Sequence, residues 1–291
     1  MFDGFNRWQI QLGDISFKVI KGGQGPAVVL LHGYPQSHLI WRHLAPVLAE
    51  SMAVVCLDLK GYGDSAAPTP LPDSSNYAKR QLAHEVVGIM RMLGHETFSV
   101  VGHDRGARVG YRLALDHPDR VQKLVSLDIV PTATYWDLAD KDFSLGTFHW
   151  GFLAQPGGLP ERMIGADPDF WLDWILRHWA GDMAAFPAEI LAEYRRCFRR
   201  PEVIAASCAD YRAGATIDDA HDRDDMKRGR RIGCPALALY SGTFVDDRRN
   251  PAKLWQQWVR KPIVERVACG HFIPEEMPDQ LAARLFQFFA E

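Results

Sequence analysis

The sequence predicts an α/β fold, a mostly parallel central sheet with helices on both faces and a helical cap inserted into it. Three observations carry this expectation. Short apolar runs alternate with amphipathic segments through the first 130 residues, and the alternation resumes after residue 231. The runs are nearly continuous, as strands covered on both faces are. Between them, residues 131–231 read as helical and aromatic and hold five of the nine tryptophans (Trp136, Trp150, Trp171, Trp174 and Trp179).

Taken in order, Ile15–Ile20 alternates weakly, and Ala27–Leu31 is an apolar run ended by His32-Gly33. Ser37 can cap a helix whose apolar spacing (Ile40, Trp41, Leu44, Val47, Leu48) extends to Ala49. Val54–Leu59 reads as the next buried strand, stopped by Gly61-Tyr62-Gly63. Tyr77–Leu93 predicts an amphipathic helix closed by Gly94, a residue type common just past a helix end. Phe98–Val101 is a strand running into Gly102, Ala107–Leu115 a helix halted by Asp116-His117-Pro118, and Val121–Ile129 another strand. Pro131 breaks the rhythm. It returns with a strand at Pro235–Tyr240, a helix at Pro251–Val259, a strand at Ile263–Ala268 and a final helix from Pro278. The domain reading is a core of residues 1–130 and 232–291 with a cap of residues 131–231. The charged stretch His221–Arg231 reads as a solvated face at the return to the core.

Composition excludes several functions. The chain of 291 residues is 47% hydrophobic and 24% charged, which suits a folded globular protein. A net charge of −3 offers no basic field for nucleic acid. Its apolar runs fall far below the roughly 18–20 residues of a membrane span, and Met1–Arg7 lacks the pattern of a signal peptide. Five scattered cysteines (Cys56, Cys197, Cys208, Cys234, Cys269) show no metal-type spacing. The expectation is a cytoplasmic protein with free thiols, no metal, no cofactor and a small-molecule substrate.

The chemistry concentrates at Gly102-His103-Asp104-Arg105-Gly106, between a strand and a helix. This G-x-nucleophile-x-G spacing allows a tight turn that lifts one side chain above the sheet. Here that side chain is Asp104. On its own it serves equally as a helix N-cap. Arg105 and Arg108 shift the balance, because cations in a first helical turn oppose the positive end of the helix dipole. They make better sense beside an exposed Asp104 if an anionic, carboxylate-bearing ligand lies over the turn. An Asp nucleophile attacking an acyl carbon would give a reactive anhydride, whereas attack on a saturated carbon gives an ordinary ester. The position therefore favours dehalogenation or epoxide opening.

The remaining parts follow from chain order. His32-Gly33-Tyr34-Pro35 ends a strand where an oxyanion donor is expected, so the Tyr34 and Arg105 N–H groups form the natural pair. His271, in Cys269-Gly270-His271-Phe272 at the end of the last strand, is placed as the base. Two candidates compete to orient it: Asp128, after the strand that follows the elbow helix, and the pair Asp246-Asp247. Asp128 is favoured because its apolar neighbours bury it and it needs a partner.

With these pieces assembled, the chain resembles the fluoroacetate (haloacetate) dehalogenases of the α/β-hydrolase superfamily. The resemblance runs nearly end to end, through His32–Gln36, Asp58 to Ser65, Gly102–Arg108, Leu127-Asp128-Ile129, His149-Trp150, Asp210–Gly214 and Gly270–Glu276. It implies an α/β-hydrolase fold and a homodimer. It also implies that Asp104 displaces halide while Arg105 and Arg108 grip the substrate carboxylate. His271, oriented by Asp128, would then activate water, with halide leaving toward His149, Trp150 and Tyr211. Tyr34 departs from the phenylalanine expected there, and the loop Thr243–Asn250 is more charged than the family pattern. An epoxide hydrolase using the same Asp–His–Asp logic is the alternative, with Tyr135, Tyr194 or Tyr211 as proton donors; buried arginines offer a neutral epoxide nothing. A binding protein on the same scaffold is a third reading, disfavoured by the intact Asp104, His271 and Asp128.

Overall fold

The computed structural model describes residues 1–291. Eight strands form one sheet: β1 (Asn6–Leu12), β2 (Ile15–Gly22), β3 (Ala27–Leu31), β4 (Ala53–Leu57), β5 (Phe98–His103), β6 (Val121–Leu127), β7 (Ala236–Tyr240) and β8 (Ile263–Arg266). Their order is β1-β2-β4-β3-β5-β6-β7-β8. The β1–β2 and β2–β4 pairings are antiparallel and all others parallel. The central strands β3, β4 and β5 are buried at every position. Each large aliphatic side chain hidden there stabilises the fold by about 1.5–3 kcal/mol relative to exposure. β1 is exposed at most positions, so it lacks the apolar run that marks the inner strands and escapes the sequence reading.

Helices cover the sheet: α1 (Leu44–Leu48), α2 (Lys79–Met92), α3 (Arg105–Asp116), then, between β6 and β7, α4 (Thr132–Trp136), α5 (Lys141–Gly146), α6 (Phe148–Leu153), α7 (Leu159–Ala166), α8 (Pro168–Trp179), α9 (Ala188–Phe198), α10 (Pro201–Ala215) and α11 (Ile217–Lys227). The chain closes with α12 (Pro251–Gln256), α13 (Ile273–Glu276) and α14 (Pro278–Ala290). No helix is long and apolar enough to cross a membrane.

Two expectations need correction. The single helix expected over Ser37–Ala49 is a short 3-10 turn, His38–Trp41, followed by the separate α1. Pro46 explains the break, since it has no N–H and its ring clashes with the preceding turn; it is tolerated only near the start of α1. Ser37 does cap its turn, accepting from the Leu39 N–H. The second correction is partial: most of His221–Arg231 is exposed, as a solvated face requires, but Asp222 and Asp225 are not. Most of that stretch is α11, whose Asp218, Asp222 and Asp225 are buried. Asp222 receives Arg112 Nη2 at 2.6 Å and the Tyr111 hydroxyl at 2.8 Å, and Asp225 also pairs with Arg112. That buried acidic stripe is an ionic dock onto α3, carried by a stretch otherwise open to solvent.

Register lines up the strand ends. Leu31 pairs with Gly102, His103 with Leu127, and Leu127 with Leu239. The residues that follow β3, β5, β6 and β7 therefore emerge at one edge of the sheet, where open α/β sheets present their sites.

Candidate active site

At that edge Asp104 sits between β5 and α3 with φ 47° and ψ −115°, and its side chain makes no capping hydrogen bond. A non-glycine residue held in such a conformation costs on the order of 1–3 kcal/mol. The turn is tight because glycines let backbones touch: a Cβ on Gly106 would lie 2.2 Å from the Leu31 carbonyl oxygen. Asp104 is buried, which overturns its reading as exposed, because cap residues cover the turn.

The carboxylate is divided between two environments. Oδ1 accepts from the Tyr34 N–H at 2.8 Å. Oδ2 lies 3.9 Å from His271 Nε2, a buried nitrogen with no hydrogen-bond partner. On the other side of the ring, His271 Nδ1 meets Asp128 Oδ2 at 2.6 Å. Asp128, itself at φ 56°, also accepts from the Ser241 N–H at 2.6 Å. The structure thus brings Asp128 to His271. Asp246, half-buried, and Asp247, exposed, instead pair with Arg248 and Arg266. Burial works to raise the Asp104 pKa, but His271, His103, Arg105 and Arg108 outweigh it and hold the group below the ordinary carboxylate value.

The two arginines differ. Arg105 gives Nε and Nη2 to Asp210 on α10, each at 2.9 Å, and only Nη1 is left without a partner. Asp210 is also held by Lys79 and by the Tyr62 hydroxyl at 2.8 Å. Arg108 donates through Nη1 to the Val130 carbonyl at 3.0 Å and the Thr132 hydroxyl at 3.3 Å, and its Nε is buried without a partner. Burial, and then Arg105, lower the Arg108 pKa. Two buried cations this close favour an anion between them.

Above them lies an aromatic roof. The Arg105 guanidinium sits 4.2 Å from the Tyr211 ring centre, and that of Arg108 4.4 Å from Trp150. His149 packs 5.7 Å from Tyr211 and 4.5 Å from Trp179. Burial drives the His149 pKa down to about 3, so the ring is neutral. Its Nδ1 and the Tyr211 Oη are both buried without partners. His149, Trp150, Tyr211, Arg105, Arg108 and His271 are all almost fully buried. The open clefts of about 700 Å³, beside Cys269 and beside Gly233, touch none of them.

Sequence reasoning did not single out several residues here. Asp210 was visible only as part of a matched segment; the signal was a buried arginine at position 105 needing a counter-ion. Trp179 and Phe244 flank His271 at 5.4 and 4.7 Å between ring centres, and nothing in their spacing marks them. The Tyr34 hydroxyl, the departure noted above, accepts from Trp171 Nε1 of α8.

Comparison with known proteins fits this geometry. A family model described as the alpha/beta hydrolase fold matches residues 26–278. The chain belongs to the α/β-hydrolase superfamily. Within that superfamily it is 42% identical to a fluoroacetate dehalogenase from Burkholderia sp, over 100% of this chain and 96% of that protein. A soluble epoxide hydrolase from Corynebacterium sp. (strain C12) is 32% identical over 97% of this chain and 96% of its own length. A solved α/β-hydrolase structure from Nostoc sp PCC 7120 superposes with a TM-score of 0.96 at 44% identity, covering 99% of both chains.

Proposed function

We propose that this α/β hydrolase is a hydrolytic dehalogenase of short 2-haloacids, with fluoroacetate and other haloacetates as its substrate class. The observation that carries the reading is a buried Arg108 with no carboxylate partner, one helical turn after an Asp104 whose side chain caps nothing. Such an arrangement suits a substrate that brings its own carboxylate and a displaceable group on the next carbon. The same reading takes residues 1–130 and 232–291 as the catalytic core and residues 131–231 as the cap.

The steps follow from the geometry. Arg108, with Arg105 Nη1, holds the substrate carboxylate. Asp104 Oδ2, the oxygen not held by Tyr34, attacks the α-carbon and the carbon–halogen bond breaks, leaving an ester and free halide. Donors from Tyr211, His149 and Trp150 receive the halide, each hydrogen bond to the anion contributing on the order of 1.5–3 kcal/mol. Fluoride gains most because it is small and charge-dense. His271 Nε2 then takes a proton from water as that water attacks the Asp104 carbonyl carbon. Negative charge develops on Oδ1, where the Tyr34 N–H, joined by that of Arg105, stabilises it. Asp128 steadies the imidazolium, which returns its proton to Oδ2 as the Cγ–Oδ2 bond breaks and the hydroxyacid leaves.

A fluoride-electrode assay with fluoroacetate, beside chloroacetate and a neutral epoxide, tests the assignment. Halide release from the acids with no epoxide turnover is the expected result. Replacing His271 with Asn should stop the second half-reaction, so intact mass should show Asp104 carrying the carboxymethyl group. Steady turnover without an adduct would refute the ester route. One observation favours the epoxide reading: the unpartnered Tyr211 hydroxyl could protonate an epoxide oxygen. Efficient epoxide opening with no halide release would establish it instead. The proposal also carries a homodimer, which light scattering tests.

A further inference from the structure

The backbone around His271 is anchored by one side chain outside the proposed triad. The Gly270 N–H donates to Glu276 Oε2 at 3.0 Å, and the Phe272 N–H to Glu276 Oε1 at 3.1 Å. The N–H of His271 itself donates to the Trp179 carbonyl at 2.8 Å. The same Oε2 of Glu276 accepts from Gly181 at 2.8 Å and Asp182 at 3.1 Å, the residues just past the end of α8. One carboxylate therefore joins the cap to both sides of the histidine. The two segments are in direct backbone contact: a Cβ on Gly270 would lie 2.0 Å from the Gly181 nitrogen. The His271 carbonyl accepts from His103 Nε2 at 2.8 Å, so both of its backbone polar groups are also fixed.

We infer that Glu276 is a positioning residue for the second half-reaction, setting the distance from His271 Nε2 to the ester at Asp104 by clamping residues 270–272 against the end of α8. The inference rests on the Asp104-ester reading. Alkylation of Asp104 needs no proton transfer to His271, whereas ester hydrolysis does. Loss of the clamp should thus slow hydrolysis and spare the first step. A shift of about 1 Å in a catalytic group can cost on the order of a hundredfold.

Rapid-quench halide release, with intact mass, on wild type, E276A and E276Q distinguishes the outcomes. Expected for E276A is a halide burst close to one per active site at the wild-type rate. Steady turnover should then fall about tenfold or more, with alkylated protein accumulating. E276Q, which keeps one acceptor oxygen, should fall between the two and serves as the reading if E276A folds poorly. Equal loss of burst rate and steady rate, or a raised KM with kcat unchanged, would overturn the inference and leave the dehalogenase reading intact. No halide from wild type would overturn that reading and this one with it.

Discussion

Arg108 and Arg112 lie one turn apart on α3, both about 2% exposed, and meet opposite fates. Arg112 is surrounded by carboxylates, with Asp222 at 2.6 Å, Asp116 at 3.3 Å and Asp225 in close contact. Arg108 meets a carbonyl, a hydroxyl and two aromatic faces but no acid. A buried charge is ordinarily tolerated only with a partner. The contrast teaches that α3 is structural at its C-terminal half and, under the dehalogenase proposal, chemical at its start, where the substrate would supply the missing counter-ion. The strain follows the same division, concentrated at Asp104.

The sharpest way to break this division is to remove the proposed nucleophile. Replacing Asp104 with Ala should lower haloacetate turnover by at least about a thousandfold; Ala keeps a Cβ, so the strain at φ 47° stays. Residual multiple turnover would show that the chemistry lies elsewhere.

Next, the two arginines should fail in different assays. R112M leaves Asp222 without its ion-pair partner and should cost about 3–5 kcal/mol of stability, measured by denaturant unfolding, with KM little changed in the folded fraction. R108M should raise KM for haloacetates about 10–100-fold and shift stability by less than about 1 kcal/mol. The reverse pattern would erase the contrast.

A paired acid outside α3, directly after β4, can be followed by pH. Asp58 accepts from the His38 N–H at 2.6 Å, His38 Nδ1 at 2.8 Å and the Asp64 N–H at 2.9 Å. Burial opposes ionisation, but the His38 and His32 charges and the His38 hydrogen bonds prevail and hold its pKa near 2, against an ordinary 3.8. A depressed folded-state pKa contributes stability present above the unfolded value and lost as pH falls through the folded one. About 2 kcal/mol should therefore disappear between pH 4 and pH 2. D58N should flatten that acid limb; an unchanged slope would count against the assignment.

The smallest effect is expected from Y34F. It deletes the hydrogen bond with the half-buried Trp171 and should cost roughly 0.5–1.5 kcal/mol, with turnover near wild type because the Tyr34 backbone N–H remains. A large loss of kcat would mean that the hydroxyl, not the amide, matters.

Much of this was legible in the sequence, for physical reasons. Inner strands such as Ala27–Leu31 are covered on both faces and so read as unbroken apolar runs. Gly106 and Asp104 could be placed at the elbow because two arginines in the next helical turn weigh against a plain N-cap, and His271 because it comes after a strand. What stayed hidden depends on long-range pairing. The edge strand β1 has no buried run to betray it. Asp222 and Asp225 look like solvent-facing charges until α11 is seen against Arg112. Asp210 gives no sign in one dimension that it immobilises most of the Arg105 guanidinium, which leaves Arg108 as the freer of the two cations.

The unequal holding of the Asp104 oxygens has a consequence for isotopes. Under the ester route, Oδ2 departs with each hydroxyacid while Oδ1 stays behind, bound to the Tyr34 amide, and the oxygen of the attacking water completes the renewed carboxylate. In heavy-oxygen water the first product should therefore leave unlabelled and the label should appear first in the protein. Each later product would carry off an atom that entered the side chain in an earlier cycle.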